Sequence, residues 1–137
     1  MTSPKPLPPI DAESRAYWAA CNDNRLVLQV CAGCGHRQHY HRRLCARCGA
    51  VDLADLDASG AGTIRSFTII RRAVSSAFEP DVPYVVALVT LAEGPTVMAN
   101  ILDAPLDALA IGAPVALVFE RRSEEINVPQ FRWAPER

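Results

Sequence analysis

Four cysteines carry the clearest chemistry in the chain. They stand in the segment CAGCGHRQHYHRRLCARCG as two CxxCG units, Cys31 with Cys34 and Cys45 with Cys48, separated by ten residues. A tight turn through CxxC brings both sulfurs of a pair onto one metal ion, and the glycine after each pair accepts the left-handed backbone that the turn requires. Four thiolates complete a tetrahedron and leave no open position, so the site is structural rather than catalytic. Zinc is the expected ion. A rubredoxin-like iron site uses the same ligands, but the short spacing and the lack of electron-transfer partners favour zinc. His36, His39 and His41 lie between the pairs and read as loop residues, because the cysteines already fill the shell. Cys21 has no partner pattern and reads as a small buried apolar residue.

No other cluster announces chemistry. The chain has no GxSxG, no HExxH and no glycine-rich phosphate loop. Its carboxylates are scattered, and no serine stands in a motif that would activate it. Three arginine groups could grip anions: Arg42, Arg43 and Arg47; Arg71 with Arg72; and Arg121 with Arg122. Each reads more readily as solvated surface.

The elements that must position the cysteines follow from periodicity. Asp11 can cap a helix from Ala12 to about Asn22, with Ala16, Tyr17, Ala20 and Cys21 on one face and Trp18 beside it. Such a helix is too short to stand alone, so it packs on its own domain or serves as a partner-docking arm. Leu26 to Val30 form a strand leading to Cys31. Val51, Leu53 and Leu56 alternate with Asp52, Asp55 and Asp57 in a half-exposed strand.

From Gly60 the pattern is all-β. Strands are expected over 63–72, opened by Gly60 and Gly62 with a bulge or bend, then over 84–91, 96–102, 114–119 and 126–133. The run YVVALVTL at 84–91 is apolar on both faces, as in a fully buried central strand. Residues 78–83 form a loop, and 103–112 a short helix or turn capped by Asp107. Pro129 argues for an edge or a bulge in the last strand. So few strands favour closure, because closure removes unpaired edges, and a five-stranded OB-type barrel fits.

The composition is ordinary for a globular chain of 137 residues, and the formal charge is −1. No global field draws it to nucleic acid or anionic membrane. Lys5 is the only lysine among 14 basic residues. The proline-rich start MTSPKPLPPI lacks the apolar run of a signal peptide, and no window approaches a membrane span. These features predict a cytoplasmic protein whose thiols stay reduced, which again favours a metal site over disulfides.

The residues as a set resemble the zinc-ribbon OB-fold family described as acyl-CoA-associated. The matching pieces are the Tyr17-Trp18 helix, RLVLQVCAGCG, RRLCARCG, SGAGTIRSFTIIRR, PYVVALVTLAEG, IGAPVALVFE and the closing VPQFRWAP. The resemblance implies a mainly β chain: an N-terminal helix, a rubredoxin-like zinc ribbon, then the OB barrel. It carries the four metal ligands over to Cys31, Cys34, Cys45 and Cys48. The division expected is a flexible tail over 1–10, a helical segment over 11–25, the ribbon over 26–57 and the barrel over 58–137. Members of the family resemble small partners of thiolase-like enzymes, including thiolases and sterol side-chain aldolases. The resemblance thus implies a hetero-oligomer in acyl-CoA and lipid metabolism, steroid degradation included, with no membrane partner. No catalytic residue carries over, so the chain is expected not to be an enzyme on its own. It would help form or cover the partner's acyl-CoA site, with Arg71, Arg72 and the 73–84 loop as the face that meets CoA or partner.

Two other functions stand beside this one. Zinc ribbons and OB barrels also bind single-stranded nucleic acid, against which stand the near-neutral charge and the few aromatic residues available for stacking. A small enzyme acting alone on acyl-CoA is the third reading.

Overall fold

The computed structural model describes residues 4–135. Helix α1 (Arg15–Asn22) is followed by β1 (Val27–Cys31), β2 (Arg37–Gln38) and β3 (Leu53–Asp57), which form a three-stranded antiparallel sheet in the order β2-β1-β3. Then come β4 (Ala61–Ile70), a 3-10 turn (Ser76–Asp81), β5 (Tyr84–Leu91), β6 (Thr96–Leu102), β7 (Pro114–Arg121) and β8 (Asn127–Trp133). These five strands close into a barrel in the order β4-β5-β6-β8-β7. All neighbours are antiparallel except β6 and β8, which run parallel. The expected architecture of helix, cysteine sheet and five-stranded OB-type barrel is present.

The sheet and the barrel share one core. Leu26 and Leu28, from the segment leading to the first cysteine, are 1% and 0% exposed and belong to the same cluster as Ile64, Val89, Val115 and Phe131 of the barrel. Burying each leucine contributes roughly 1.5–3 kcal/mol. The Ala58 N–H donates to the Leu26 carbonyl at 2.8 Å, which keeps the connector between sheet and barrel against the strand it follows.

The helix is pinned at its C-terminal end. The Asn127 amide, buried at the start of β8, donates to the Cys21 carbonyl at 2.7 Å and to Asn24 Oδ1 at 3.0 Å. Asn22 donates to the Glu125 carbonyl and accepts from Arg121. The helix also begins later than expected. Asp11 Oδ1 accepts from the Ser14 N–H at 2.8 Å, but it closes the turn over 12–14; the helix starts at Arg15 with Ser14, not Asp11, at its cap position. Ala16, placed on the apolar face, is exposed. Ala20 and Cys21 are buried, and Tyr17 packs on the core. The expected 1–10 tail falls partly outside the described residues, at 1–3. In the part described, Lys5 meets Asp81 at 2.7 Å and lies 5.7 Å from the Phe78 ring centre.

Barrel closure explains the other departures. β4 starts at Ala61 because Gly62 crosses β5 so closely that a Cβ there would stand 2.6 Å from Val89 Cγ1 and 3.1 Å from the Thr90 carbonyl. The expected bulge lies a turn further on, between Ile64 and Ser66. β5 is not buried on both faces. Val85, Ala87, Val89 and Leu91 point inward, while Leu88 is 37% exposed. A barrel wall one layer thick has an inside and an outside, so an all-apolar strand leaves apolar atoms on its outer surface. Residues 103–112 hold turns and no helix. Pro129 is paired in β8, yet β6 meets β8 only at Ile101–Phe131 and Leu102–Arg132, so the missing N–H opens no ladder bond toward β6. Where the two strands part, Gln130 spans the gap, accepting from the Asn100 N–H at 2.7 Å and donating to Asn100 Oδ1 at 3.0 Å.

An aromatic wedge joins helix and cysteine sheet. Tyr17 stands edge-on to Trp18, His39 and His41 at centroid distances of 5.1, 5.7 and 5.5 Å. His39, expected as a loop residue, is 8% exposed, and burial, with His41 adding to it, pushes its imidazole down to about 4. The ring is neutral in the fold, whereas the unfolded chain takes a proton near pH 6.5. Stability present above pH 6.5 is therefore lost progressively as pH falls toward 4.

Two measurements test this packing. Gly62→Ala should destabilise the protein by about 1–3 kcal/mol in urea unfolding, as overpacking does, whereas Gly94→Ala, with open space around it but a left-handed backbone, should cost about 1 kcal/mol. Wild type should lose roughly 3 kcal/mol more than His39→Phe between pH 7 and pH 4. The comparison of the two proteins removes proton competition at the cysteines, and parallel pH profiles would show that His39 is not the group responsible.

Candidate metal centre

The two CxxCG units fold as copies of one knuckle. In the first, the Cys31 N–H donates to the His36 carbonyl at 2.9 Å and the Gly35 N–H to the Cys31 carbonyl at 2.9 Å. In the second, Cys45 donates to Ala50 at 2.8 Å and Gly49 to Cys45 at 2.9 Å. Gly35 and Gly49 have φ of 77° and 80°, the left-handed backbone that the spacing demanded. Each knuckle presents one buried cysteine, Cys31 or Cys45, and one exposed cysteine, Cys34 or Cys48.

All four sulfurs lie within 4.8 Å of one another. The Cys31–Cys48 and Cys34–Cys45 distances are 3.6 and 3.7 Å. Four sulfurs at about 2.3 Å from a zinc ion would be about 3.8 Å apart, so the donor set and its size fit zinc. Backbone N–H groups supply a further shell. Cys34 N–H points at Cys31 Sγ at 3.5 Å, and the N–H groups of Arg47 and Cys48 point at Cys45 Sγ at 3.3 and 3.5 Å. The Cys48 N–H, helped by Arg47, holds the Cys45 thiol down to about 6, and the Cys34 N–H likewise lowers Cys31. These groups favour thiolate at the two inner sulfurs, the form a metal requires. Cys21 stays apart from the cluster and is fully buried, and burial pushes its thiol up to about 11.

What holds the second knuckle under the first is a pair of glutamines. Gln29 and Gln38 are direct cross-strand partners on β1 and β2. Gln38 Nε2 donates to Gln29 Oε1 at 2.8 Å and to the Leu44 carbonyl at 3.3 Å, while its Oε1 accepts from the Ala46 N–H at 2.9 Å. Gln29 Oε1 accepts from the Arg42 N–H at 2.9 Å, and its Nε2 donates to the Arg42 carbonyl at 3.0 Å. His41 Nε2 lies 3.2 Å from the Val27 carbonyl. Neither glutamine stood out in the sequence. The available signal was a lone amide inside the apolar run Leu26 to Val30, where a polar side chain needs a partner.

Among the described residues, the four cysteines are the one group of three or more cysteine, histidine and carboxylate side chains close enough to share an ion. Of the three arginine groups, Arg42, Arg43 and Arg47 lie on the ribbon itself, and the other two lie elsewhere. Arg71 and Arg72 are exposed just beyond the end of β4, and Arg121 is committed to Asn22. Among the described residues, no helix is long and apolar enough to cross a membrane.

Comparison with known proteins agrees with both halves of this geometry. Residues 18–54 match the ChsH2 rubredoxin-like zinc ribbon domain, and residues 56–120 match the ChsH2 C-terminal OB-fold domain. A probable enoyl-CoA hydratase alpha subunit of Thermomonospora curvata is 35% identical over 130 residues, 95% of this chain, and the chain spans 40% of that relative's length. A DUF35 domain-containing scaffold protein of Methanothermobacter thermautotrophicus is 36% identical over 101 residues, 73% of this chain and 75% of the relative. A solved chain of an Ltp2-ChsH2(DUF35) aldolase superposes with a TM-score of 0.83 at 34% identity, covering 93% of this chain and 98% of that one. With a cysteine sheet built for structural zinc, a five-stranded OB barrel and a scaffold-protein relative aligned over 75% of its length, the chain belongs to the DUF35 family of ChsH2 type.

Proposed function

We propose that this chain is a non-catalytic subunit that docks an aldolase- or thiolase-like enzyme acting on acyl-CoA and helps form or cover that enzyme's acyl-CoA site. The observation that carries the reading is the likeness to a chain of an Ltp2-ChsH2(DUF35) aldolase over nearly the whole of both chains. The hydratase alpha-subunit name of a second relative supports membership of an enzyme complex working on CoA thioesters. Residue chemistry points the same way, since the one clustered donor set among the described residues has the make-up of a closed structural site. Zinc held by Cys31, Cys34, Cys45 and Cys48 fixes the ribbon, and the partner supplies nucleophile and base. Arg71 and Arg72, exposed beside the 73–83 loop, are the groups assigned to the CoA phosphates or the partner surface. The setting is a cytoplasmic pathway of lipid or steroid breakdown.

Metal analysis tests the ligands. Protein purified without chelator should contain one zinc per chain. Cys45→Ser should lose it and unfold at markedly lower urea, because zinc binding contributes on the order of 10 kcal/mol to folding such sites. Cys21→Ser should retain the metal. A full zinc content in Cys45→Ser would remove that residue from the site.

A tagged chain recovered from its host should bring down an aldolase- or thiolase-like protein near one-to-one. Recovery of RNA or single-stranded DNA instead, with salt-sensitive binding, would replace this function with nucleic-acid binding. With the partner in hand, Arg71→Ala with Arg72→Ala should weaken CoA binding by the complex about tenfold; unchanged CoA affinity and turnover would remove the pair from the site.

A further inference from the structure

Three clefts open on the described surface, and they differ in charge. The cleft beside Phe78 and Tyr84, about 430 Å³, mixes Lys5 and Arg122 with Asp81, Asp103 and Glu120; the cleft beside Ser59 and Ala116, about 660 Å³, mixes Arg25 and Arg132 with Asp57. The third, about 350 Å³, lies where α1, the cysteine sheet, β6 and β8 meet, and it contains neither lysine nor arginine. Its walls include Tyr17, Trp18, His39, Tyr40, Met98 and Pro129, and its rim carries Asp11 and Glu13.

This third cleft selects against anions and for a donor on an apolar stem. Tyr17 and Trp18 are nearly perpendicular at 85°, and Tyr17 meets His39 at 69°, so ring faces and ring edges both line the walls. Ring faces attract cations. His39 is buried, and its Nδ1 has no hydrogen-bond partner, an acceptor or donor left open under the Tyr40 ring 4.5 Å away. The rim charges are solvated and only loosely engaged. Asp11 Oδ1 accepts one N–H from Ser14, and Glu13 has Arg43 at 3.7 Å, both on solvated side chains.

The surface around the cleft is larger than a small molecule needs. Met98 is 62% exposed and Tyr40 61%, and Met98 is the direct cross-strand partner of Leu88, itself 37% exposed. An apolar apron continuous with an aromatic cleft is the arrangement of a protein interface with a central anchor pocket. Arginine suits such a pocket because its stem is apolar and its head offers only donors.

We propose that this cleft receives a basic side chain, an arginine or lysine, that the partner subunit inserts between Trp18 and Tyr40 toward the acidic rim, with Met98 and Leu88 packing around it. The proposal rests on the subunit function above and names the face that function uses.

The test uses the full chain and an aldolase subunit of the Ltp2 type from the same host. Binding of wild type is measured first, since failure to form that complex would bring down the subunit function and this inference together. Given binding, Glu13→Lys and Tyr40→Ala should each weaken affinity at least tenfold, while Glu124→Lys, on the exposed turn before β8, should leave it within twofold. Both positions are exposed, and zinc content and urea midpoint confirm the fold of each variant. A photo-cross-linking benzoylphenylalanine at position 40 should map to a partner segment containing arginine or lysine. Wild-type affinity in Glu13→Lys and Tyr40→Ala, or a cross-link to an acidic or wholly apolar segment, would overturn the proposal and leave the subunit function standing.

Discussion

Everything in this molecule depends on two leucines that belong to one sheet and are buried in another. Leu28 lies in the strand that ends on Cys31 and Leu26 just before it, yet their side chains belong to one core with Ile64, Val115 and Phe131 of the barrel. A sheet of two-, five- and five-residue strands has too little apolar surface to exclude water by itself. The barrel supplies that surface, and the leucines return the favour by filling one end of it. The four sulfurs then need only fix the far end of the ribbon, where the knuckles face solvent and no apolar contact is available.

The helix is held in the same economical way. Its eight residues could not persist alone. Cys21 and Ala20 are buried, Asn127 reaches up from β8 to the last turn, and Tyr17 drives into the ribbon against two histidines. Burying a histidine there is feasible because its neutral form dominates at neutral pH. The cost is sensitivity to acid, where the unfolded chain gains a proton that the folded chain refuses.

Much of this was legible in the residues. The CxxCG spacing specifies two knuckles through local backbone rules, and the knuckles formed with the expected left-handed glycines. Alternation and turn residues located five barrel strands to within two residues at their ends. What could not be read are the features that depend on pairs distant in sequence. Gln29 and Gln38 look like ordinary polar residues until the strands pair and their amides meet. His39 is the loop residue it looks like, but its burial against Tyr17 of the helix is not visible in the sequence. Leu88 looks buried until the barrel curves its strand and turns that side outward. Gly62 was noted as a glycine in a strand, but the reason, contact with Val89 at a barrel crossing, belongs to closure.

The shared core also bears on inheritance. The ribbon and the OB fold are recognised as two domains, meeting near residue 55. Mechanically that boundary is not a seam, since Leu26 and Leu28 lie on its N-terminal side and fill the cavity of the other half. A ribbon transplanted from a relative would have to bring matching side chains at those two positions, and an asparagine-ready helix end for Asn127, or leave a hole in the recipient barrel. The shared core therefore makes the two halves one unit in packing, each shaped by side chains of the other.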